Sequence, residues 1–262
     1  MNALPASAPA LPTLKQRLHN LWYRVRRRCL PSQYERLSRD VLRPEFSREQ
    51  LDREGYRSQY GQDKWVVETL LPRTAKGVFV DVGAHDGVSF SNTCYLEQKL
   101  NWTGVAVEPM PEVFAKLEQN RHCHKLQCAV GAASGTAQFT VLSGYAEMLS
   151  GLTATYDPRH LHRIEREQAE HGGAVQTISV QVLTLSEVLD RFQLQHVDYL
   201  NIDTEGAELA LLQNFPFERY DIRVIGVENN YQDGRIPDLL TRHGYRFHSI
   251  LGDEFYIKTS SS

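Results

Sequence analysis

Residues 77–87 read GVFVDVGAHDG, and this stretch decides the fold class. Residues 77–82 are a nearly continuous apolar run with β-branched side chains, a pattern typical of a strand buried on both faces of a sheet. Gly83 and Gly87 follow, where glycine lets the backbone turn tightly and approach a ligand. Ligands of doubly wound folds bind beyond the carboxyl ends of the strands. The stretch therefore predicts a ligand site in this loop.

Outward from this strand, helical and strand patterns alternate along the chain, which predicts an α/β fold with a doubly wound, mostly parallel sheet. Further strands are predicted at 103–107, 123–130, 136–142, 177–183, 197–202, 222–227, 245–251 and 254–258. Helices are predicted at 62–71, 91–100, 111–120, 184–191, 207–214 and 236–243.

The regular pattern begins near residue 57, so we predict one domain over residues 57–262. Residues 143–175 interrupt it with a long polar stretch, and long insertions are more often functional than simple connections. Aromatic and hydrogen-bonding side chains in this insertion suit an acceptor site, although a solvated surface loop has the same composition. The side chains in question are Tyr145, Tyr156, Arg159, His160 and Arg163.

Residues 1–56 are predicted to be an N-terminal extension that is partly disordered. Within it, residues 14–30 have apolar residues at helical spacing and six Lys or Arg residues. Such a basic amphipathic helix packs on the domain or, alternatively, makes peripheral contact with an anionic membrane. No basic segment precedes an apolar core near the start, and no apolar run is long enough to span a bilayer. We therefore expect a cytoplasmic protein, with membrane association as the alternative.

The composition excludes several classes of protein. A net charge of -3 is not that of a general nucleic-acid binder, so no nucleic-acid partner is expected. The four cysteines form no CxxC pair and are expected to be reduced. His122, Cys123, His124 and Cys128 are close in sequence, but alternate side chains of a strand point to opposite faces, so no metal site is predicted there.

The glycine spacing identifies the kind of ligand. Gly83 and Gly87 form G-x-x-x-G rather than G-x-G-x-x-G, which argues against a dinucleotide pyrophosphate and against an NAD-dependent oxidoreductase. Glu108 ends the second strand, 25 residues after Gly83, where a carboxylate can accept hydrogen bonds from both hydroxyls of a ribose. Together the two features indicate a ligand that contains a nucleoside but no pyrophosphate.

Acidic residues also follow the strands predicted at 197–202 and 222–227. Asp203 and Glu205 follow the first of these strands, and Glu228 with Asn229 follows the second. Their oxygen atoms could hold a hard cation, or one carboxylate could be the general base for an acceptor hydroxyl. Glu208 is explained by the favourable charge of an acid at a helix N-terminus.

Four ordered motifs resemble the FkbM family of methyltransferases, and the resemblance runs from about Ser58 to Lys258. It implies a class I methyltransferase fold with a seven-stranded sheet that contains one antiparallel strand. It also implies S-adenosylmethionine as methyl donor and O-methylation of sugar hydroxyls or natural-product scaffolds. The motifs are SQYGQD at residues 58–63, FVDVGAHDG at 79–87, VEP at 107–109 and IDTEGAE at 202–208.

The resemblance also implies roles for individual residues. Glu108 would bind the ribose hydroxyls, and Asp203 would lie beside the sulfonium and the acceptor. Asp203, Glu205 and His85 are, in that order, the candidates for the catalytic residue. The remaining donor contacts would be Asp81, Gly83, Ala84 and Gly87 with Asn92 nearby at the methionine end, and Ala129 and Val130 at the adenine.

The sequence therefore predicts an S-adenosylmethionine-dependent O-methyltransferase that acts on a hydroxyl of a sugar, glycan or glycosylated metabolite. An obligatory divalent metal is not expected. Two alternatives stay open: a non-catalytic or membrane-docking protein that keeps the fold, and the NAD-dependent oxidoreductase. The acceptor and the oligomeric state are not indicated by any motif.

Overall fold

The computed structural model describes residues 32–259. In chain order the strands are β1 (Val78–Val82), β2 (Thr103–Val107), β3 (His124–Leu126), β4 (Ala129–Val130), β5 (Gly135–Leu142), β6 (Gly151–Leu152), β7 (Val175–Leu183), β8 (His196–Ile202), β9 (Asp221–Val227), β10 (Tyr245–Leu251) and β11 (Asp253–Lys258). The α-helices are α1 (Gln33–Leu37), α2 (Arg48–Glu54), α3 (Gln62–Trp65), α4 (Cys94–Leu100), α5 (Pro111–Asn120), α6 (Pro158–His171), α7 (Leu185–Arg191), α8 (Glu208–Gln213) and α9 (Arg235–Arg242). A π-helical turn at Val66–Leu70 continues α3.

Seven strands form one large sheet in the order β10-β11-β9-β8-β1-β2-β3. Strand β11 is antiparallel to both of its neighbours, while β9, β8, β1, β2 and β3 are mutually parallel. The central strands are almost fully buried, as expected for apolar runs covered by helices on both faces. The predicted fold class, including the single antiparallel strand, is confirmed.

The register of the central strands brings their carboxyl ends to one line. Val82 at the end of β1 pairs with Val107 of β2 on one side and with Ile202 of β8 on the other. Ile202 in turn pairs with Val227 of β9. The residue after each strand end is Gly83, Glu108, Asp203 or Glu228. Four residues that are far apart in sequence therefore meet at one edge of the sheet.

The strand predicted at 123–130 is in fact two strands in two sheets. β3 ends at Leu126 in the large sheet, and β4 begins at Ala129 in a second, four-stranded sheet of order β4-β7-β5-β6. The amide of Cys128 donates to the carbonyl of Leu126 (3.2 Å), so the chain turns away between the two strands. The prediction failed because both halves have a strand-like pattern, and only the tertiary pairing separates them.

The predicted insertion is an ordered part of the fold rather than a simple loop. It contains helix α6, which the sequence prediction missed. Asp157 caps this helix by accepting from the amide of Arg159, and Pro158 occupies its first turn. The helix buries only His160 and Ile164, so its sequence has little of the apolar stripe by which helices are recognised.

The end of the N-terminal extension packs against the large sheet. Leu42 forms a bridge beside β10, through hydrogen bonds with His248 and Ile250, and Leu51 of α2 is fully buried. The basic helix predicted at residues 14–30 lies outside the described residues. Within residues 32–259, no helix combines the length and the apolar character needed to cross a membrane.

Candidate active site

A cavity of about 350 Å³ lies beyond the carboxyl ends of β1, β2, β8 and β9. The predicted site residues that line it are Asp81, Gly83, Ala84, His85, Asn92, Glu108, Ala129, Val130, Asp203 and Glu205. Glu228 lines it as well. The structure thus brings together every residue predicted as catalytic or as a donor contact, except Gly87.

Gly83 makes the turn that opens this cavity. Its amide and that of Ala84 both donate to the carbonyl of Val107 (3.0 Å each), which holds the loop against the end of β2. Its φ angle is +87°, and an added Cβ would lie 1.7 Å from the carbonyl oxygen of Asp203. Glycine is required here because the loop and the end of β8 approach each other too closely for any side chain.

Gly87 does not line the cavity, which corrects the role predicted for it. A Cβ at this position would lie 2.6 Å from side-chain atoms of both Leu117 and Arg121. Its carbonyl accepts from the buried guanidinium of Arg121 (3.1 Å). The glycine therefore serves the packing of the loop on α5.

The carboxylate of Glu108 is held in a fixed orientation at the end of β2. Its two oxygens accept from two backbone amides, that of Met110 (2.8 Å) and that of His85 (3.1 Å). The residue is 4% exposed, and burial raises the pKa of its carboxyl to about 7. Each oxygen keeps a second acceptor position, so the group can still receive two hydroxyl donors.

Asp81 orients its neighbours rather than facing the cavity with free oxygens. One oxygen accepts from the hydroxyl of Thr93 (2.5 Å), and the other accepts from the side-chain amide of Asn201 (2.9 Å). The side chain of Asn92 then donates to Asn201 (3.0 Å) and to Asp253 (3.1 Å). Its Oδ1 atom is buried and has no hydrogen-bond partner among residues 32–259. An acceptor therefore stays available for an N–H group of a ligand.

Sequence analysis missed several polar residues of this network. Asn201 and Asp253 line the cavity, and Gln62 donates to Asp253 (3.2 Å) across 191 positions of sequence. Burial raises the pKa of Asp253 to about 6. The available signal was a polar residue between two apolar residues near the end of a buried strand, as Asn201 is in β8. Asp253 gave no such signal because it begins a strand at a hairpin.

Three carboxylates gather where β8 and β9 end. Single oxygen atoms of Asp203, Glu205 and Glu228 all lie within 4.8 Å of one another. Burial and then the charge of Glu205 raise the pKa of Asp203 well above its usual range, and burial with the charge of Asp203 does the same to the pKa of Glu228. Burial raises the pKa of Glu205 to about 8. The cluster is therefore poised to bind protons or a cation.

The loop that presents Glu205 is held by Glu208. One carboxylate oxygen of Glu208 accepts from the amides of Thr204 and Gly206 (3.0 Å each). Glu205 itself adopts a positive φ of +55°, which is uncommon for a residue with a side chain. Glu208 thus has the structural role predicted for an acid at a helix start, and it fixes the direction of Glu205.

His85 is already paired. Its Nε2 atom lies 2.9 Å from Oε1 of Glu147, and its amide donates to Glu108. Burial lowers its pKa, but the neighbouring carboxylates of Asp86 and Glu147 outweigh that effect, and the net pKa is raised. The side chain of His85 is therefore held by Glu147 at the wall of the cavity.

Among the five predicted acceptor residues of the insertion, Arg163 alone lines the cavity. Arg159 is paired with Asp157 at the surface, and Tyr145 is 70% exposed. Tyr156 and His160 lie behind the wall and bond to the carbonyl of Leu149. The insertion also contributes lining residues that the sequence analysis did not single out, which are Glu147, Met148, Leu149, Ser150 and Leu152.

The cavity is strongly acidic. One guanidinium lines it, that of Arg163, against seven carboxyl side chains. Walls of one sign attract a ligand of the opposite sign, so a cationic ligand is favoured. The acidic residues are Asp81, Glu108, Glu147, Asp203, Glu205, Glu228 and Asp253.

Within the described part of the chain, potential metal-binding groups of three or more residues occur at two places. One is the cluster of Asp203, Glu205 and Glu228, and the other is the largely exposed group of Glu167, Glu170 and His171 on α6. The sequence around Cys123 belongs to neither, and the described cysteines form no disulfide.

Comparison with known proteins gives matches to methyltransferases. A family model described as the methyltransferase FkbM domain matches residues 81–247, more than half of the chain. Methyltransferase sdnD of Sordaria araneosa is 28% identical over 187 residues, which cover 61% of this chain and 69% of that protein. Methyltransferase 1 of Beauveria bassiana is 27% identical over 169 residues, covering 58% of this chain and 64% of that protein.

Two solved structures are also similar. An FkbM methyltransferase from Methylobacillus flagellatus aligns with a TM-score of 0.45 and 13% identity, over 90% of this chain and 60% of that one. A TehB-like, SAM-dependent methyltransferase from Corynebacterium glutamicum aligns with a TM-score of 0.39 and 12% identity, over 80% of this chain and 94% of that one.

Proposed function

Because the chain belongs to the FkbM methyltransferase family, we propose that it transfers the methyl group of S-adenosylmethionine to a hydroxyl oxygen. The acceptor hydroxyl belongs to a sugar, a glycan or a glycosylated metabolite. The observation that carries the donor assignment is the orientation of Glu108. Two backbone amides hold its carboxylate beside the Gly83 loop, with an acceptor position left on each oxygen for the two ribose hydroxyls.

The remaining walls suit the other parts of the donor. Ala129 and Val130 give an apolar surface for the adenine, next to Met110 and Phe139. At the other end, the free Oδ1 of Asn92 suits the ammonium of the methionine part. The excess of carboxylates lining the cavity favours a ligand that carries a positive sulfonium.

The transfer itself needs little covalent chemistry from the protein. The acceptor oxygen attacks the methyl carbon, the C–O bond forms as the C–S bond breaks, and sulfur leaves with the bonding electron pair as a neutral thioether. Alignment of the two reactants supplies a large share of the rate, on the order of several kcal/mol. The hydroxyl proton must pass to a base. The first candidate is Asp203 and the second is Glu205, because both carboxyl groups line the cavity at the end of β8.

The mouth of the cavity supports a sugar-like acceptor. Tyr60 and Phe90 line it and are 48% and 52% exposed, so aromatic faces are open to solvent beside the carboxylates. Aromatic faces pack against the C–H groups of a sugar ring, while Arg163 and Asn230 offer hydrogen bonds to its hydroxyls. A hydroxyl placed between these groups and Asp203 would face the donor.

Calorimetric titration of S-adenosylmethionine into the full chain tests the donor assignment. Glu108→Gln keeps the size of the side chain but removes the charge that two hydroxyls would share. We expect at least about a tenfold loss of affinity, since a hydrogen bond to a charged group contributes about 1.5–3 kcal/mol. Glu118→Gln, on the exposed face of α5, is the matched control and should bind as the wild type does. Equal affinity in all three proteins would refute the assignment.

The acceptor is tested by mass spectrometry of glycans and metabolites from the host with and without the gene. We expect one species to lose a methyl group attached to oxygen. A methyl lost from nitrogen or carbon would overturn the O-methylation proposal while leaving the donor assignment intact.

A further inference from the structure

A buried histidine behind the acidic cluster has an unsatisfied nitrogen. His160 of α6 is 1% exposed, and its Nε2 atom lies 3.1 Å from the carbonyl oxygen of Leu149. A carbonyl only accepts, so Nε2 carries the hydrogen and the Nδ1 atom of the neutral ring presents a lone pair. That Nδ1 atom is buried and has no hydrogen-bond partner among residues 32–259.

The lone pair of His160 faces another unsatisfied acceptor. Its Nδ1 atom lies 3.5 Å from Oε2 of Glu205, a buried oxygen that also lacks a hydrogen-bond partner in the described chain. Two acceptors that face each other in a buried place repel unless a positive species lies between or beside them. Backbone contacts fix both groups, since Leu149 orients the ring and Glu208 holds the loop of Glu205.

The same Glu205 belongs to the carboxylate cluster at the cavity wall, with oxygens of Asp203 and Glu228 within 4.8 Å. Ligand atoms bound to one divalent cation at about 2.1 Å lie about 3–4 Å apart, so the three carboxylate oxygens must contract from separations of up to 4.8 Å. His160 lies outside this group and approaches it through its contact with Glu205. One proton between His160 and Glu205 would satisfy those two atoms, and a second proton would be needed between Asp203 and Glu228. A single divalent cation beside all three carboxylates can replace both protons.

We propose that Asp203, Glu205 and Glu228 form a binding site for one divalent cation, and that the Nδ1 atom of His160, beside Oε2 of Glu205, moves in as a fourth ligand when the ion binds. Three carboxylates and one imidazole favour a cation of intermediate hardness such as Mn²⁺ over Mg²⁺ or Ca²⁺. The hydrogen bond from Nε2 to Leu149 is the kind of outer contact that fixes the tautomer of a metal-binding histidine.

The position of the site suggests what the cation does. It lies at the ends of β8 and β9, where the proposed function places the acceptor hydroxyl, and this role therefore rests on that function. A cation there would bind the acceptor oxygen and lower the pKa of its hydroxyl, so that the proton is lost more readily as the methyl carbon is attacked. An acceptor with two neighbouring oxygens, such as a vicinal diol of a sugar, would bind best.

Titration of Mn²⁺ into the full chain, followed by electron paramagnetic resonance of the free ion, tests the site without using activity. We expect one bound ion with a dissociation constant below about 1 mM. Glu205→Gln, Glu228→Gln and His160→Gln should each weaken binding at least about tenfold. In His160→Gln, the side-chain amide nitrogen can still donate to the carbonyl of Leu149 in place of Nε2, but the Nδ1 atom that would bind the ion is removed. Glu167→Gln, in the exposed cluster of the same helix, is the matched control and should bind Mn²⁺ as the wild type does.

Thermal unfolding of the same proteins without metal separates loss of the site from loss of the fold. Glu205→Gln should unfold at an equal or higher temperature, because its amide can donate to Nδ1 of His160 at every pH, whereas the carboxyl of Glu205 can do so only while it is protonated. Absence of Mn²⁺ binding by the wild type, unchanged binding in all three site variants, or loss in Glu167→Gln alone would each overturn the proposal. S-adenosylmethionine titrated into the same samples reports on the donor separately, so either assignment can fail while the other holds.

Discussion

The imidazole of His85 is paired with the carboxylate of Glu147, with 2.9 Å between Nε2 and Oε1. This contact joins the loop after β1 of the large sheet to the 3-10 segment (Gly144–Leu149) that follows β5 of the small sheet. Both residues line the cavity, so this pair links the large sheet to the small sheet beside the loop that contains Gly83.

Replacing Glu147 with Gln should lower the pKa of His85, because one of the three carboxylates that raise it is removed. The pairing stabilises the fold fully below the unfolded pKa of about 6.5, and this stabilisation is lost as pH rises through the folded pKa. Titration of the ring by NMR checks the prediction. Glu165→Gln, which removes the partner of the exposed His162, should leave the pKa of His85 unchanged. A wild-type pKa of His85 in Glu147→Gln would contradict the role of the pair.

Gly83→Ala should destabilise the protein by at least about 3 kcal/mol and abolish donor binding, since the new Cβ adds a clash with Asp203 to an unfavourable φ. Gly144→Ala is a matched control with a similar φ of +73° and no atom within 4 Å of the new Cβ. It should cost only about 1 kcal/mol. Urea denaturation and calorimetry with S-adenosylmethionine measure the two effects. Equal losses in the two variants would show that φ alone, and not the close approach, requires glycine.

Arg121→Gln should destabilise the fold by about 3 kcal/mol or more, because it leaves the buried Glu97 carboxylate without its cation. The guanidinium is fully buried, lies 2.6 Å from Glu97 and also donates to Gly87 and Thr93. Loss of these bonds should also loosen the loop that contains Gly83 and Gly87. The control is Arg219→Gln, which removes an exposed ion pair and should cost at most about 1 kcal/mol. Similar midpoints of denaturation for both variants would refute the structural role of Arg121.

The unliganded protein should become less stable as pH rises from about 4.5 to about 8. Glu205 and Glu108 have folded pKa values of about 8 and about 7, above their ordinary value of 4.5. A carboxyl with a raised folded pKa holds its proton in the folded state, so folding is favoured at lower pH and weakened as the pH passes through that pKa. Urea denaturation across this range gives the slope. The double variant Glu205→Gln/Glu228→Gln should reduce the dependence of the free energy of unfolding on pH. An unchanged slope would show that other groups cause this dependence.

The pattern of apolar runs was sufficient to predict the large sheet. Strand β2 and helix α5 have the predicted bounds, and strands β1 and β8 differ from the predicted bounds by one residue. The ends of these strands carry Gly83, Glu108 and Asp203, so the edge of the sheet where the cavity lies also followed from the sequence. These features could be predicted because burial on both faces of a parallel strand leaves a local signal in consecutive residues.

Other features depended on contacts between distant segments. The division of residues 123–130 between two sheets is set by pairing with β2 and with β7, and no neighbouring residue encodes it. Helix α6 was missed because its apolar face is small. Gly87 was assigned to the donor because glycine in a loop has the same appearance whether it meets a ligand or, as here, the side chains of Leu117 and Arg121.

By itself, then, the sequence determined the fold class, the order of the site motifs and the edge of the sheet at which they meet. The fold class follows from local periodicity, and the shared edge follows from the rule that parallel strands have their carboxyl ends on the same side of the sheet. Only the tertiary structure decided that Nδ1 of His160 faces Glu205 and that Asn92 shares a network with Asp253. Those contacts join residues 45 and 161 positions apart in the chain. Their geometry is fixed by how the helices and hairpins pack on the sheet, which no local pattern of residues records.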